Sequence, residues 1–324
     1  MSPTGKTPFS RNCGMPLIDS VSITAYADAV LFMSELQNSL LELVRRTSAE
    51  IPDDVNQSIL ASLEQEKQNT IAESALKIID QNIRLAKRKS QPICQDTGSI
   101  LFYVDCPTGY DQITFEETAK EAVKLATKKG YLRQNSVDSL TGQNDGTNVG
   151  PGAPTFHFHQ HRSPEVSVRL VLKGGGCENV GAQYSLPNEK LRANRDLDGC
   201  RKAILDAVLQ AQGKGCGPGI LGVCIGGDRA TGYEMSKTQF LRKIPDRNPN
   251  PELDKLEQDV LKTANELGIG PMGFGGKTTL LGVKICAANR LPASYFVSIS
   301  YMCWAYRRQG VTLDAAGKIE KWLY

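Results

Sequence analysis

The stretch Gln91-Pro92-Ile93-Cys94-Gln95-Asp96-Thr97-Gly98-Ser99 constrains this chain more than any other. Pro92 and Gly98 bracket a tight turn, and a thiol, an amide, a carboxylate and a hydroxyl stand consecutively inside it. Helical periodicity leads into the turn and the apolar run Ile100 to Val104 leaves it, which places the turn where a strand begins. Polar groups at such a junction are functional in many folds. They also suit an Asx-type turn in which Asp96 caps local amides and Cys94 is a small buried hydrophobe. Taken alone, the loop leaves both readings open.

Cysteine usage narrows the chemistry. Nine cysteines are an odd number, and without the apolar centre of a signal peptide in the polar start Met1 to Asn12 they argue against a disulfide framework. They stand at 13, 94, 106, 177, 200, 216, 224, 286 and 303 with no C-x-x-C pair, which disfavours a zinc ribbon or a thioredoxin-like centre. Any metal site must therefore be assembled from distant loops. A chain of 324 residues that is 40% apolar can bury a substantial core as one large domain or two modest ones. With 38 basic against 35 acidic residues and no basic run, nucleic acid is not an expected partner. No apolar stretch approaches the roughly 18 residues of a membrane helix, so no membrane association is expected and the cytoplasm is the expected compartment.

Residues 1–20 lack periodicity and are read as a mobile arm, followed by a single domain over 21–324. Helical spacing over 22–46, a helix after Pro52 and another over 69–86 make a helical N-terminal layer. Beyond the strand at 100–104, Thr114 heads a helix that Gly130 stops. Residues 141–154 read as a long ordered loop, and strands follow at 155–159 and 166–172. The second of these ends in Lys173-Gly174-Gly175-Gly176-Cys177-Glu178-Asn179, where glycines either let backbone amides approach an anion or make a plain turn. Helices over 197–212, 231–241 and 251–267 and strands over 220–225, 279–287 and 295–302 complete the body, with short strands near Val311 and Ile319. The fold class expected is α+β, a helical N-terminal layer packed on a mixed β-sheet core. His157, His159 and His161 alternate along one strand, on one face. They could bind zinc or nickel, but colinear histidines need a fourth ligand from elsewhere to close a tetrahedral site, and a solvated edge strand is the favoured reading.

Cys94, Cys216 and Cys303 sit at strand ends or in Gly/Pro-flanked turns, where a cofactor can lie over the edge of a sheet. Three thiolates on a cubane would leave a fourth iron open as a Lewis acid. The chain resembles the iron-sulfur class I fumarases and L-tartrate dehydratases, specifically their N-terminal half or alpha subunit. The matching pieces are Pro92-Ile93-Cys94-Gln95-Asp96-Thr97-Gly98, Leu132-Arg133-Gln134-Asn135, Lys173-Gly174-Gly175-Gly176, Gly226-Gly227, Leu267-Gly268-Ile269-Gly270-Pro271 and Cys303-Trp304-Ala305-Tyr306-Arg307-Arg308. They fall in the family's order across residues 22–324.

The resemblance implies a 4Fe-4S cluster on Cys94, Cys216 and Cys303, in a site formed by loops at strand ends. Cys216 keeps the family's distance of ten residues before Gly226, and Cys224 does not. Cys177 stands where many relatives carry Ser and is read as lining the site, while Cys13, Cys106, Cys200 and Cys286 are read as structural. The resemblance also assigns Gln95, Asp96, Arg133, Gly176 and Asn179 to the dicarboxylate. Arg133 offers a planar fork, Gly176 an amide, Gln95 and Asn179 neutral hydrogen bonds, and Asp96 a catalytic carboxylate beside the reacting hydroxyl. The implied reaction is hydration of fumarate to malate, a step of the tricarboxylic acid cycle, performed by an oligomer that includes a beta-type subunit or C-terminal half. That second half supplies further arginines and a hydroxyl-bearing catalytic residue. Two departures bear on the substrate. Leu291 stands in Arg290-Leu291-Pro292-Ala293-Ser294 where many relatives have His, and Val180 stands where fused fumarases commonly carry Lys. Tartrate or mesaconate therefore remains an alternative, and a non-catalytic iron-sulfur or redox-sensing protein is the alternative of another class.

Overall fold

A computed structural model describes residues 20–324, with side chains from residue 32 onward. The arm expected over residues 1–20 lies outside that range except for Ser20, where the first helix, α1 (Ser20–Ala49), already begins. Two short helices follow, α2 (Asp53–Gln65) and α3 (Ile71–Lys89). α3 illustrates how local chemistry sets the ends. The Thr70 hydroxyl accepts from the Glu73 amide and the Glu73 carboxylate reaches back to accept from the Asn69 amide, so the helix start is capped from both sides. Lys87, Arg88 and Lys89 complement the negative end of the helix dipole. Ala72, Leu76, Ile79, Ile83 and Ala86 bury one stripe, worth about 2 kcal/mol for each large aliphatic side chain. Ser90 then turns the chain out with φ +48°, and the Ile93 amide donates to Ser48 while the Asn82 amide donates to the Ile93 carbonyl. The Cys94 loop thus starts from two fixed points.

The expected single mixed sheet is two. The first contains β1 (Ser99–Pro107), β2 (Thr155–His161), β3 (Val166–Lys173), β8 (Arg307–Leu313) and β9 (Ile319–Trp322) in the order β2-β1-β3-β8-β9. Only the β1–β2 pair is parallel. The second contains β4 (Ala182–Ser185), β5 (Gly219–Ile225), β6 (Leu280–Ala287) and β7 (Phe296–Met302) in the order β4-β7-β5-β6, with β5 and β6 parallel. Strand periodicity does not say which strands share a sheet, and so the division escaped the sequence. The N-terminal helices are also not one layer. Even-numbered β1 residues Phe102 and Val104 pack with Leu36, Leu40 and Leu43 of α1 and with Phe115, Ala119 and Val123 of α4 (Gln112–Lys128). Odd-numbered Leu101 and Tyr103 pack on the opposite face with Val55, Ile59, Leu76 and Ile79 of α2 and α3. That second cluster runs on to Ile220, Met302 and Cys303, joining the two sheets.

The second sheet packs Leu221, Val223, Val297 and Ile299 against Ala203, Ile204 and Ala207 of α6 (Leu197–Ala211) and Val260 of α8 (Pro251–Glu266). Its other face carries small residues under α7 (Arg229–Thr238), where Ser236 and Ser300 hydroxyls meet at 2.8 Å. Two local expectations shift. α4 begins earlier than Thr114, because Asp111 is the true cap and accepts from the Thr114 amide. Gly175–Asn179 is a short helix, α5, rather than an open turn. The histidine strand β2 lies at the edge of its sheet, where His157 stacks on Tyr103 and meets Glu234 at 2.9 Å. Among the described residues no helix is long and apolar enough to cross a membrane.

Candidate active site

Four loops converge at the ends of β1, β3, β5 and β7. Asp96 joins the first two, its carboxylate Oδ2 accepting from the Gly175 amide at 2.7 Å. Gly98 makes the approach possible. It has φ +76°, and a Cβ there would stand 2.3 Å from the Lys173 carbonyl oxygen. The third loop is Gln212–Gly215, a 3-10 turn ending in Cys216, whose own φ is +55°. Tyr301 lies directly beneath it, so a Cβ at Gly215 would fall 2.4 Å from the ring. The fourth follows β7, and the Trp304 amide donates to the Cys216 carbonyl at 3.2 Å, locking the turns of Cys216 and Cys303 together. Cys177 of α5 closes the circle with its sulfur 3.9 Å from the Gly215 carbonyl.

The sulfurs feel one another. A hydrogen bond with Cys177, then burial, then the charges of Cys177 and Cys94 push the Cys303 thiol well above its ordinary value. Partial burial, then Cys177, Cys94 and Asp96 raise Cys216. Cys177 moves the other way, because the Cys303 hydrogen bond and the nearby charges of Lys173 and Arg307 outweigh its burial. Of the Cys177–Cys303 pair, Cys177 ionises first. Cys94, Cys216 and Cys303 are therefore electrostatic neighbours although 209 positions separate the first from the last (303 − 94). Their accessibility differs, since Cys303 is buried while Cys216 is exposed and Cys94 half-buried. Among the described residues no three His, Cys, Asp or Glu side chains close in tightly enough for a single metal ion. A cubane asks for a wider set, because each thiolate meets a different iron. All three sulfurs are free, and the donor set suits that group.

The polar residues arrange themselves around this point. The Thr97 hydroxyl accepts from the Arg133 amide and donates to the Arg133 carbonyl, both at 2.8 Å, and the Thr97 amide donates to Asn135. The Leu132–Asn135 segment is thereby clamped to the Cys94 loop. Asn148, buried with φ +60°, accepts from the Asn135 and Ser136 amides and donates to Thr127 and to the Arg133 carbonyl. Gln95, Arg133, Gly176 and Asn179 are all exposed. A cleft of about 340 Å³ opens beside them, lined by Asp96, Asn135, Gly175, Thr155 and Lys237. Leu291 is exposed, and Val180 packs against the core of the second sheet.

Two sets of residues went unassigned in the sequence. Glu178 is gripped by Lys237 at 2.7 Å and by fully buried Lys173 at 3.0 Å. Burial works to raise the Glu178 carboxyl, and the two lysines overcome it and hold the carboxyl below its usual range. Burial holds the Lys173 ammonium below its ordinary value. Arg307 donates from Nη1 to the Asp96 carbonyl, supporting the Cys94 loop from below. A charged residue directly after the apolar run Leu170-Val171-Leu172, as Lys173 is, was the available signal.

The fumarate hydratase (Fumerase) family model matches residues 37–312. Over 296 residues the chain is 52% identical to a candidate class I fumarate hydratase of Geobacillus stearothermophilus, covering 90% of this chain and 58% of that protein. The chain thus spans a little over half of that relative's length. It is 33% identical over 288 residues to a candidate L(+)-tartrate dehydratase subunit alpha of Methanocaldococcus jannaschii, with 87% of this chain and 99% of the relative covered. To the L(+)-tartrate dehydratase subunit alpha of Escherichia coli strain K12 it is 30% identical over 285 residues, 86% of this chain and 92% of the relative.

Proposed function

The chain belongs to the fumarate hydratase family, and from that premise we propose that it is the alpha-type half of an iron-sulfur hydro-lyase that hydrates fumarate reversibly to malate. The observation that carries this reading is the convergence of the Cys94, Cys216 and Cys303 loops beside Asp96. Those three cysteines would hold a 4Fe-4S cluster, which when bound supplies a Lewis-acid iron for a hydroxyl and an adjacent carboxylate oxygen. Arg133, exposed and anchored through its backbone to Thr97, binds a substrate carboxylate bidentately. The Gly176 amide and the Gln95 and Asn179 side chains orient the diacid. The Asp96 carboxylate, with Oδ2 engaged by Gly175, keeps its other oxygen for the reacting hydroxyl and its proton.

Exposure of Gln95, Arg133, Gly176 and Asn179 leaves the substrate side of this site open to water. Stabilising the charge that develops on the second carboxylate needs further donors in a closed site. A beta-type subunit or C-terminal half is the proposed source. The full-length matches to alpha subunits support that arrangement, and they also keep tartrate as the second substrate reading. The test is an anaerobic assay of the cluster-loaded chain, mixed with a beta-type partner, against fumarate, tartrate and mesaconate side by side. Turnover of fumarate above the other two is expected. Tartrate turnover alone would move the assignment to tartrate dehydration, and a substrate-insensitive cluster with no turnover of any diacid would overturn the enzyme reading in favour of a sensor.

A further inference from the structure

Two cysteines that the site does not use, Cys224 and Cys286, are set side by side by the fold. β5 and β6 run parallel with these two residues as direct register partners. Register partners in neighbouring strands send their side chains to the same face, and here it is the face under α7. A Cβ on Gly222, two residues before Cys224, would stand 2.1 Å from the Ser236 carbonyl of α7. The Cys286 sulfur lies 3.7 Å from the Met235 carbonyl of the same helix. Both thiols are free, Cys224 wholly buried and Cys286 half-buried.

Neighbouring strands hold register partners about 4.8 Å apart at Cα, inside the span of roughly 4.4–6.8 Å that a disulfide bridges. β6 ends its sheet and pairs with β5 alone, so the movement that brings the two sulfurs together breaks no second ladder. The thiols also hydrogen-bond to each other, which lowers the Cys224 thiol and raises that of Cys286. Cys224 is the readier nucleophile of the pair, and Cys286 is the one within reach of solvent.

We propose that Cys224 and Cys286 form a dithiol modification site that hydrogen peroxide closes reversibly to a disulfide. The Cys286 sulfur, once deprotonated, attacks one peroxide oxygen, the O–O bond breaks, and the departing hydroxide leaves as water with the thiol proton. The Cys224 thiolate then attacks the sulfenic sulfur of Cys286, the S–O bond breaks, and the second hydroxide leaves as water with the Cys224 proton. Two thiols give up two electrons, and one peroxide is reduced to two waters. The first step is the slow one, because the Cys286 thiol is the harder to ionise. Cys216 lies before the start of β5 and Cys224 near its end, and the proposal does not depend on what Cys94, Cys216 and Cys303 hold.

The experiment treats the full, reduced chain with hydrogen peroxide, blocks the remaining thiols by alkylation, and maps the tryptic peptides by mass spectrometry. The expected product is a peptide pair joined through Cys224 and Cys286, with fragmentation separating Cys224 from Cys216 on their shared peptide. Dithiothreitol is expected to return both as free thiols. In Cys286→Ser the linked pair should vanish, with Cys224 recovered alkylated. A link from Cys286 to any other cysteine, a link between two chains, or oxidation of Cys286 to the sulfinic acid with Cys224 still free overturns the inference. So does recovery of both thiols unmodified after other cysteines of the chain have been oxidised. Should Cys286→Ser fail to fold, the map of the unaltered chain decides by itself.

Discussion

Asp96 is committed on two sides, since its carboxylate takes the Gly175 amide and its carbonyl takes Arg307. Asp96→Asn keeps the shape and the carbonyl contact but loses the negative charge and the ability to take a proton. The expected outcome is an unaltered cluster absorbance with turnover reduced by at least about a hundredfold, the scale of a lost acid–base group. A rate within a factor of two of the parent would remove Asp96 from the chemistry. Gly98 carries a different kind of constraint. Gly98→Ala places a methyl against the Lys173 carbonyl at a backbone angle that L-residues rarely adopt. A loss of about 3 kcal/mol in urea unfolding is expected, along with diminished cluster uptake as β1 and β3 are forced apart. Thr97→Val deletes two hydrogen bonds to the Arg133 backbone, each worth about 1 kcal/mol. If Arg133 binds the diacid, KM should rise in that variant more than kcat falls.

At the scale of elements, α5 is too short to be stable alone and is held in place by its neighbours. Lys237 reaches it from α7 and Lys173 from β3, both through Glu178. The comparable tie elsewhere is Asp54, which joins α2 to β8 through Arg308 and also accepts the Ile244 amide at 2.8 Å. Asp54→Ala leaves the Arg308 guanidinium buried between the Tyr306 and Tyr324 rings without its anion. The expected cost is about 3–5 kcal/mol, read as a lower urea midpoint. Asp54→Ala combined with Arg308→Met should regain much of that loss, because no stranded charge remains. A double variant no more stable than the single one would show that the carboxylate's other contact dominates.

The whole molecule responds to pH through its buried phenols. Burial raises the phenols of Tyr103, Tyr301 and Tyr306 above their ordinary value and pushes Tyr110 up to about 12. A phenol whose folded value exceeds the unfolded one contributes stability in full below about pH 10, the unfolded value. That contribution is lost as the pH rises from there through the folded values. Thermal unfolding midpoints should therefore hold up to about pH 10 and fall steeply beyond it. Absorbance at 295 nm should show part of the ten tyrosines titrating early and the rest only on unfolding. Smooth titration of all ten in the folded chain would contradict the burial of these rings.

Local rules were enough to find most helices and strands, because caps, prolines, glycines and apolar spacing act over a few residues. The helix start after Pro52 and the glycine stop after α4 are of that kind. The turns of Cys94 and Cys216 were legible for the same reason, being written in adjacent residues. What no local rule contains is the pairing of distant segments. That two sheets form, that α1 and α2–α3 take opposite faces of the first, and that Trp304 is hydrogen-bonded to Cys216 all depend on contacts between residues remote in the chain. Arg307 and Arg308 make the division plain. Side by side in the sequence they look equivalent, and only the fold gives Arg308 the Asp54 carboxylate and sets Arg307 on the Asp96 carbonyl, because burial turns the choice of neighbour into the dominant energy.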